Sequence, residues 1–211
     1  RDFLFRAREF EQMEIEYFIK KGMKCPYSIP DEEIFILSAE AQEKNKEPMK
    51  MKIKDALYKG VIKKDWHAYW LAMEIRWFRN LGADIRNFRI RQHLKDELSH
   101  YSIDTWDLEY NFPFGWKELE GIADRGSFDL NQHEKFSGKE LRIFDEESKT
   151  KVLPEVICEP SLGVERAFLV FLLDSYFYDS GRENVVLRLH PKLAPVKAAV
   201  FPIVKGTRFE K

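Results

Sequence analysis

The 211 residues include 44% hydrophobic and 14% aromatic side chains, enough to bury one sizeable core, and this excludes a disordered chain. Charged residues reach 34% but nearly cancel to a formal net charge of −1, so no chain-wide basic field attracts nucleic acid and any RNA contact must be local. Cys25 and Cys158 are too far apart to form a clustered zinc motif, and the apolar runs fall short of a membrane span, so a reducing, cytoplasmic setting is expected.

In chain order, Phe3 to Phe18 is dense in Phe, Ile, Tyr and charge without Gly or Pro, which predicts a strand. Gly22, Pro26 and Pro30 break it. Asp31 to Lys64 is rich in Lys and Glu with few large apolar residues, and it is expected to be part of a solvated insertion, about 21–64, adding little to the core. Trp66, Trp70, Met73 and Trp77 recur at helical spacing and predict a helix packed through that stripe and ended by Gly82. A second helix is expected from Ile85 to Leu98.

Beyond His100 the texture changes to strand-like runs, among them Trp116 to Ile122, Leu141 to Asp145 and Glu155 to Ser161. Val164 to Tyr178 predicts a buried helix. Strands clustered before one apolar helix imply an α+β fold, an antiparallel β-sheet flanked by helices. Residues 1–184 are expected to form the main unit, and 185–211 a linker and the first strand of a further unit, carried by Lys197 to Val204.

Three constellations carry chemistry. Alternate residues of an extended strand share a face, which would align Arg6, Arg8, Phe10, Gln12 and Glu14. Guanidiniums match phosphate oxygens and a Phe face stacks on a purine, so this face suits a nucleotide; the alternative is an exposed face with cross-strand ion pairs. In Glu159-Pro-Ser161-Leu-Gly163-Val-Glu-Arg166, Glu159 and Ser161 share a face, Gly163 permits a tight junction, and Arg166 enters the first helical turn. A cation there is opposed by the helix dipole and calls for an anionic or stacked partner, or for a pairing with Glu165 or Asp174. Glu118 and Glu120, on one strand face in Gly115 to Leu130, fit glycosidase chemistry, ammonium recognition or a metal.

Together these segments resemble class II aminoacyl-tRNA synthetases, and among them the dimeric glycyl-tRNA synthetases. The tail of motif 2 is similar to Arg6-Ala-Arg-Glu-Phe10-Glu-Gln-Met-Glu14, and motif 3 to Glu159 through Leu173. The runs His100 to Asp107, Gly115 to Leu130 and Leu189 to Val196 resemble glycyl-specific segments. The resemblance spans nearly the whole chain and is weakest from about Lys20 to Lys64.

By that resemblance the fold is the class II catalytic core, and the function is glycine–tRNA ligation through glycyl-adenylate. ATP would be held by Arg6, Arg8, Phe10 and Arg166, and glycine by Glu14, Glu159, Ser161 and Glu118, with Arg125 and Asp129 in the same signature. No side-chain nucleophile is implied: the glycine carboxylate attacks the α-phosphate, with Mg²⁺ assisting charge neutralisation. The implied partners are glycine, ATP and tRNA(Gly), without a membrane. Motif 1, the first half of motif 2 and most of an anticodon-binding domain are not represented in the sequence. A weak or inactive isolated chain is therefore expected, and homodimerisation is in doubt. The alternative is a non-catalytic accessory or binding subunit related to synthetases.

Overall fold

A computed structural model describes residues 3–203 and 206 of the chain, except for the side chain of Phe3. A 3-10 turn, Phe3–Arg6, opens it, followed by the short strands β1 (Gln12–Glu14) and β2 (Tyr17–Ile19). Next come β3 (Glu33–Leu37), α1 (Ala39–Glu43), β4 (Met49–Lys52), α2 (Ile53–Tyr58) and α3 (Asp65–Asn80). A second 3-10 turn, Ile85–Asn87, leads into β5 (Phe88–Gln92), β6 (Asp104–Phe112) and β7 (Gly115–Asp124). The chain continues through α4 (Phe128–Ser137), β8 (Ile143–Asp145), β9 (Thr150–Val152), β10 (Glu155–Gly163), α5 (Val164–Ser175), β11 (Tyr176–Asp179) and β12 (Asn184–Leu187).

One eight-stranded sheet organises the molecule, in the order β1-β10-β7-β6-β5-β3-β4, with β2 also paired to β10. Its named pairings are antiparallel except for β3 with β5. Helix α3 lies across one face. Its buried side is formed by Trp66, Leu71, Ile75 and Phe78 against Phe88, Ile90, Trp106, Leu108 and Ile122 of the sheet. The expected α+β class is thus the observed one.

Several local expectations change. Only Gln12–Glu14 and Tyr17–Ile19 of the first segment are strand, because Phe5 turns inward and packs edge-on against Phe112 and Phe114, with centroids 5.0 and 5.6 Å apart. Asp31 to Lys64 is not a peripheral insertion: Ile34, Ile36, Met51, Ile53, Ala56 and Ile62 are buried core residues, and β3 and β4 extend the main sheet. Glu33-Ile-Phe-Ile-Leu37 alternates exposed and buried positions, so a two-residue period lay hidden under a Lys- and Glu-rich composition.

The helix expected over Ile85 to Leu98 is instead a 3-10 turn and β5, in which Phe88, Ile90 and Gln92 face inward while Arg89 and Arg91 face outward. On α3 the tryptophan stripe is only partly core: Trp66 is buried, Trp70 half-buried, and Trp77 38% exposed against Phe78 and Phe171. Gly82, with φ +94°, follows the helix end as expected. Helix α5 stops at Ser175 because Tyr176–Asp179 pairs with β12. That hairpin straddles residue 184, so the boundary expected there falls inside one unit. Residues 197–203 form no strand; Val204 lies outside the described residues.

Candidate active site

The face of the sheet turned away from α3 is floored by small residues. Across the register, Glu14 pairs with Ser161, Ser161 with Gly121, and Gly121 with Asp107. A Cβ on Gly121 would lie 3.9 Å from Asp107 Oδ1, so glycine keeps the middle of this row low. At the β10 end, Gly163 turns the strand directly into α5. The amide of Val164 donates to the carbonyl of Glu11, and the amide of Glu11 to Glu165 Oε1, each at 3.0 Å, which ties together motif-like segments that lie 154 residues apart at the second bond.

These junctions enclose a cleft of about 270 Å³ whose walls include Phe5, Phe10, Gln12, Glu118, Ser161 and Arg166. The Arg166 guanidinium lies 4.9 Å over the Phe5 ring, donates to the Glu118 carbonyl at 2.7 Å, and stands 3.5 Å from the Glu118 carboxylate. Its partners are therefore neither Glu165 nor Asp174. Asp174 accepts instead from the Asp84 amide, Asn87 and Tyr110. Burial and nearby Asp107 push the Glu118 carboxyl above its usual range, and Arg166 partly offsets this. Phe10 is 63% exposed at the mouth, so its ring is available to a flat ligand.

Beside the cleft, one carboxylate oxygen each from Glu14, Glu16 and Glu159 lies within 4.8 Å of the others. Gln12 Nε2 donates to Glu14 Oε2 at 2.8 Å and to the Ser161 hydroxyl, joining this acidic group to the cleft. Arg125 is ion-paired with Glu159, reaches Asp129 at 2.8 Å, and lies 4.5 Å over the Tyr101 ring. Burial raises the Glu159 carboxyl, opposed by Arg125 and reinforced by Glu14 and Glu16. An all-oxygen set of this kind suits a primary ammonium or a hard divalent cation such as Mg²⁺.

The structure thus brings Phe10, Glu118, Ser161 and Arg166 to one cleft, and Glu14, Glu159, Arg125 and Asp129 to its flank. Arg6 and Arg8 are exposed and do not line it, because the 3-10 turn breaks the alternation that would align them with Phe10. Glu118 and Glu120 do not share a face. The register of β6 with β7 slips at Leu119, setting Glu118 opposite Glu109 and Glu120 opposite Leu108, and Glu120 is buried toward α3. Phe5 and Glu16 are not singled out from the sequence, and Gln12 stands on the nucleotide face there without a ligand role of its own. Continuing the alternation from Gln12 and Glu14 would have reached Glu16.

No family model matches the chain. Curated glycine–tRNA ligases do: that of Thermobifida fusca is 41% identical over 215 residues, that of Caldanaerobacter subterraneus subsp. tengcongensis 42% over 206, and that of Staphylococcus aureus 40% over 208. Each comparison covers 97% of this chain. This stretch of chain belongs to the glycine–tRNA ligase family. It spans 36–38% of the length of these relatives. The sheet with its flanking helices is accordingly a class II synthetase core. No helix among the described residues is long and apolar enough to cross a membrane.

Proposed function

We propose that the cleft activates glycine with ATP, as part of a cytoplasmic glycine–tRNA ligase that passes glycine to tRNA(Gly). The observation that carries this reading is the meeting of Phe10, Ser161, Arg166 and Glu118 around one cleft, with three carboxylates at its side. Adenine lies against Phe10, and Arg166 leaves Phe5 to cover the other face of the ring. Arg6 and Arg8, which flank the cleft-lining Ala7, meet the phosphates. The glycine ammonium is held by Glu14 and Glu159, while Ser161 and the low floor at Gly121 admit a substrate lacking a side chain.

No side chain attacks. The glycine carboxylate displaces pyrophosphate from the α-phosphate, and the chain supplies orientation and charge complementarity. Glu118 would hold Mg²⁺ brought in with ATP, which would neutralise phosphate charge. Arg125 and Asp129 are positioning residues that keep Glu159 aimed.

Thermal-shift titration with a non-hydrolysable glycyl-adenylate analogue, against its alanyl and seryl counterparts, tests the reading. Stabilisation by the glycyl compound alone is expected. Stabilisation by none of them, with ATP also failing to bind, would overturn it and favour a non-catalytic accessory subunit.

A further inference from the structure

A second cleft, of about 460 Å³, opens at the ends of β5 and β6, between α1 and the α2–α3 connection. Its cationic lining comes from separate segments: Lys59, Lys63 and Lys64 from the connection, and His93 and Lys95 from the loop after β5. Lys64 is taken up by buried Asp124. Lys59, Lys63 and Lys95 are exposed and have no ion pair among the described residues.

Of the acids on the rim, Glu40 is paired with Lys44, and Asp104 accepts from Gln92 Nε2 and Trp106 Nε1 at 2.9 and 3.2 Å. Three lysines without an ion pair therefore face two rim acids that no lysine or arginine neutralises, Glu43 and Asp104. The His93 ring is fixed by Nε2, 2.8 Å from both Asp107 oxygens, which leaves Nδ1 for a ligand. Asp107 also raises the affinity of His93 for a proton.

We propose that this cleft holds the phosphodiester backbone of an RNA strand. Lysines suit phosphates as point charges. The lining has no aromatic ring other than His93 and no arginine, so it lacks the stacking platform and the planar fork that read bases. Position gives the second argument. The amide of His93 donates to the carbonyl of Thr105 at 2.9 Å, Thr105 pairs with Ala123, and Ala123 pairs with Glu159. Three strand spacings separate His93 from the candidate glycine pocket, about 15 Å. A strand ending at that pocket passes the cleft within a few nucleotides, at roughly 3.4 Å per stacked nucleotide. This inference rests on the reading that RNA accepts the activated glycine.

The test is fluorescence anisotropy of a fluorescein-labelled RNA oligonucleotide with the full chain, the triple variant Lys59→Ala/Lys63→Ala/Lys95→Ala, and the corresponding triple Lys→Arg variant. Removing three phosphate contacts is expected to weaken binding at least 10-fold and flatten the log K against log salt slope by about 2. The Arg variant is expected to retain binding, which separates lost charge from lost fold. ATP binding at the other cleft is expected to be unchanged in all three proteins. Unchanged RNA affinity and salt slope in the Ala variant would overturn the proposal. So would displacement of RNA by millimolar inorganic phosphate, or by polyglutamate as effectively as by unlabelled RNA, since the cleft would then be a free-anion or acidic-peptide site. Failure of ATP to bind while lysine-dependent RNA binding persists would instead count against glycine activation alone.

Discussion

Glu118 and Glu120 stand on opposite faces of β7 although two residues apart, because Leu119 is the extra residue of a bulge. Glu118 borders the cleft with Arg166, whereas Glu120 is 2% exposed, faces α3, and has one carboxylate oxygen without a hydrogen-bond partner. Burial, with Glu74 nearby, pushes the Glu120 carboxyl well above its usual range. Glu118→Gln is therefore expected to weaken ATP binding several-fold with little change in melting temperature. Glu120 does not line the cleft, and Glu120→Gln is expected to leave ATP binding intact. Tryptophan fluorescence titration and thermal melting measure both; equal loss of ATP affinity in the two variants contradicts the bulge.

Burial raises the Glu74 carboxyl to about 7, against an ordinary 4.5. Between these values the folded chain binds more protons than the unfolded chain, so this group's contribution to stability falls as pH rises. It is fully present below about pH 4.5 and lost by about pH 7, amounting to roughly 3 kcal/mol at most. Glu74→Gln is expected to flatten that part of the pH profile between pH 5 and 8. Urea unfolding across this range checks the sign: a variant whose slope equals that of the parent chain rules out the assignment.

Arg125 holds Glu159 and Asp129 and lies over Tyr101. Arg125→Ala leaves the half-buried Glu159 beside Glu14 and Glu16 without a cation, an expected loss of about 2–4 kcal/mol in chemical denaturation. Affinity for a glycyl-adenylate analogue is expected to fall along with it. Arg125→Lys restores part of the stability but not the forked contact to both acids.

Phe10 is too exposed to support the core. Phe10→Ala is expected to change stability by under about 0.5 kcal/mol. It is expected to cut ATP affinity roughly 10-fold through lost stacking. A large loss of stability with ATP affinity unchanged would make Phe10 a packing residue.

Much of the site was readable in advance where a local period or a compact motif carried it. Helix α3 follows from a 3.6-residue pattern, and Glu159 through Arg166 from a strand, a glycine and an apolar helix in succession. The core role of Ile34 and Ile36 was masked because β3 is five residues long and set among lysines and glutamates. β5 is indistinguishable from helix in the sequence because Phe88-Arg-Ile-Arg-Gln92 is too short for period alone to separate the two.

Residue order alone thus determined which chemical groups the chain brings to its site, and through motif spacing the family it resembles. It left open which side of each strand those groups occupy. A strand's faces depend on its ladder partners, and one extra residue at Leu119 exchanges them. The inward turn of Phe5, the grouping of Glu16 with Glu14 and Glu159, and the row from His93 to Glu159 all arise from contacts between segments distant in sequence. Such contacts form only when burial of the common core brings those segments together.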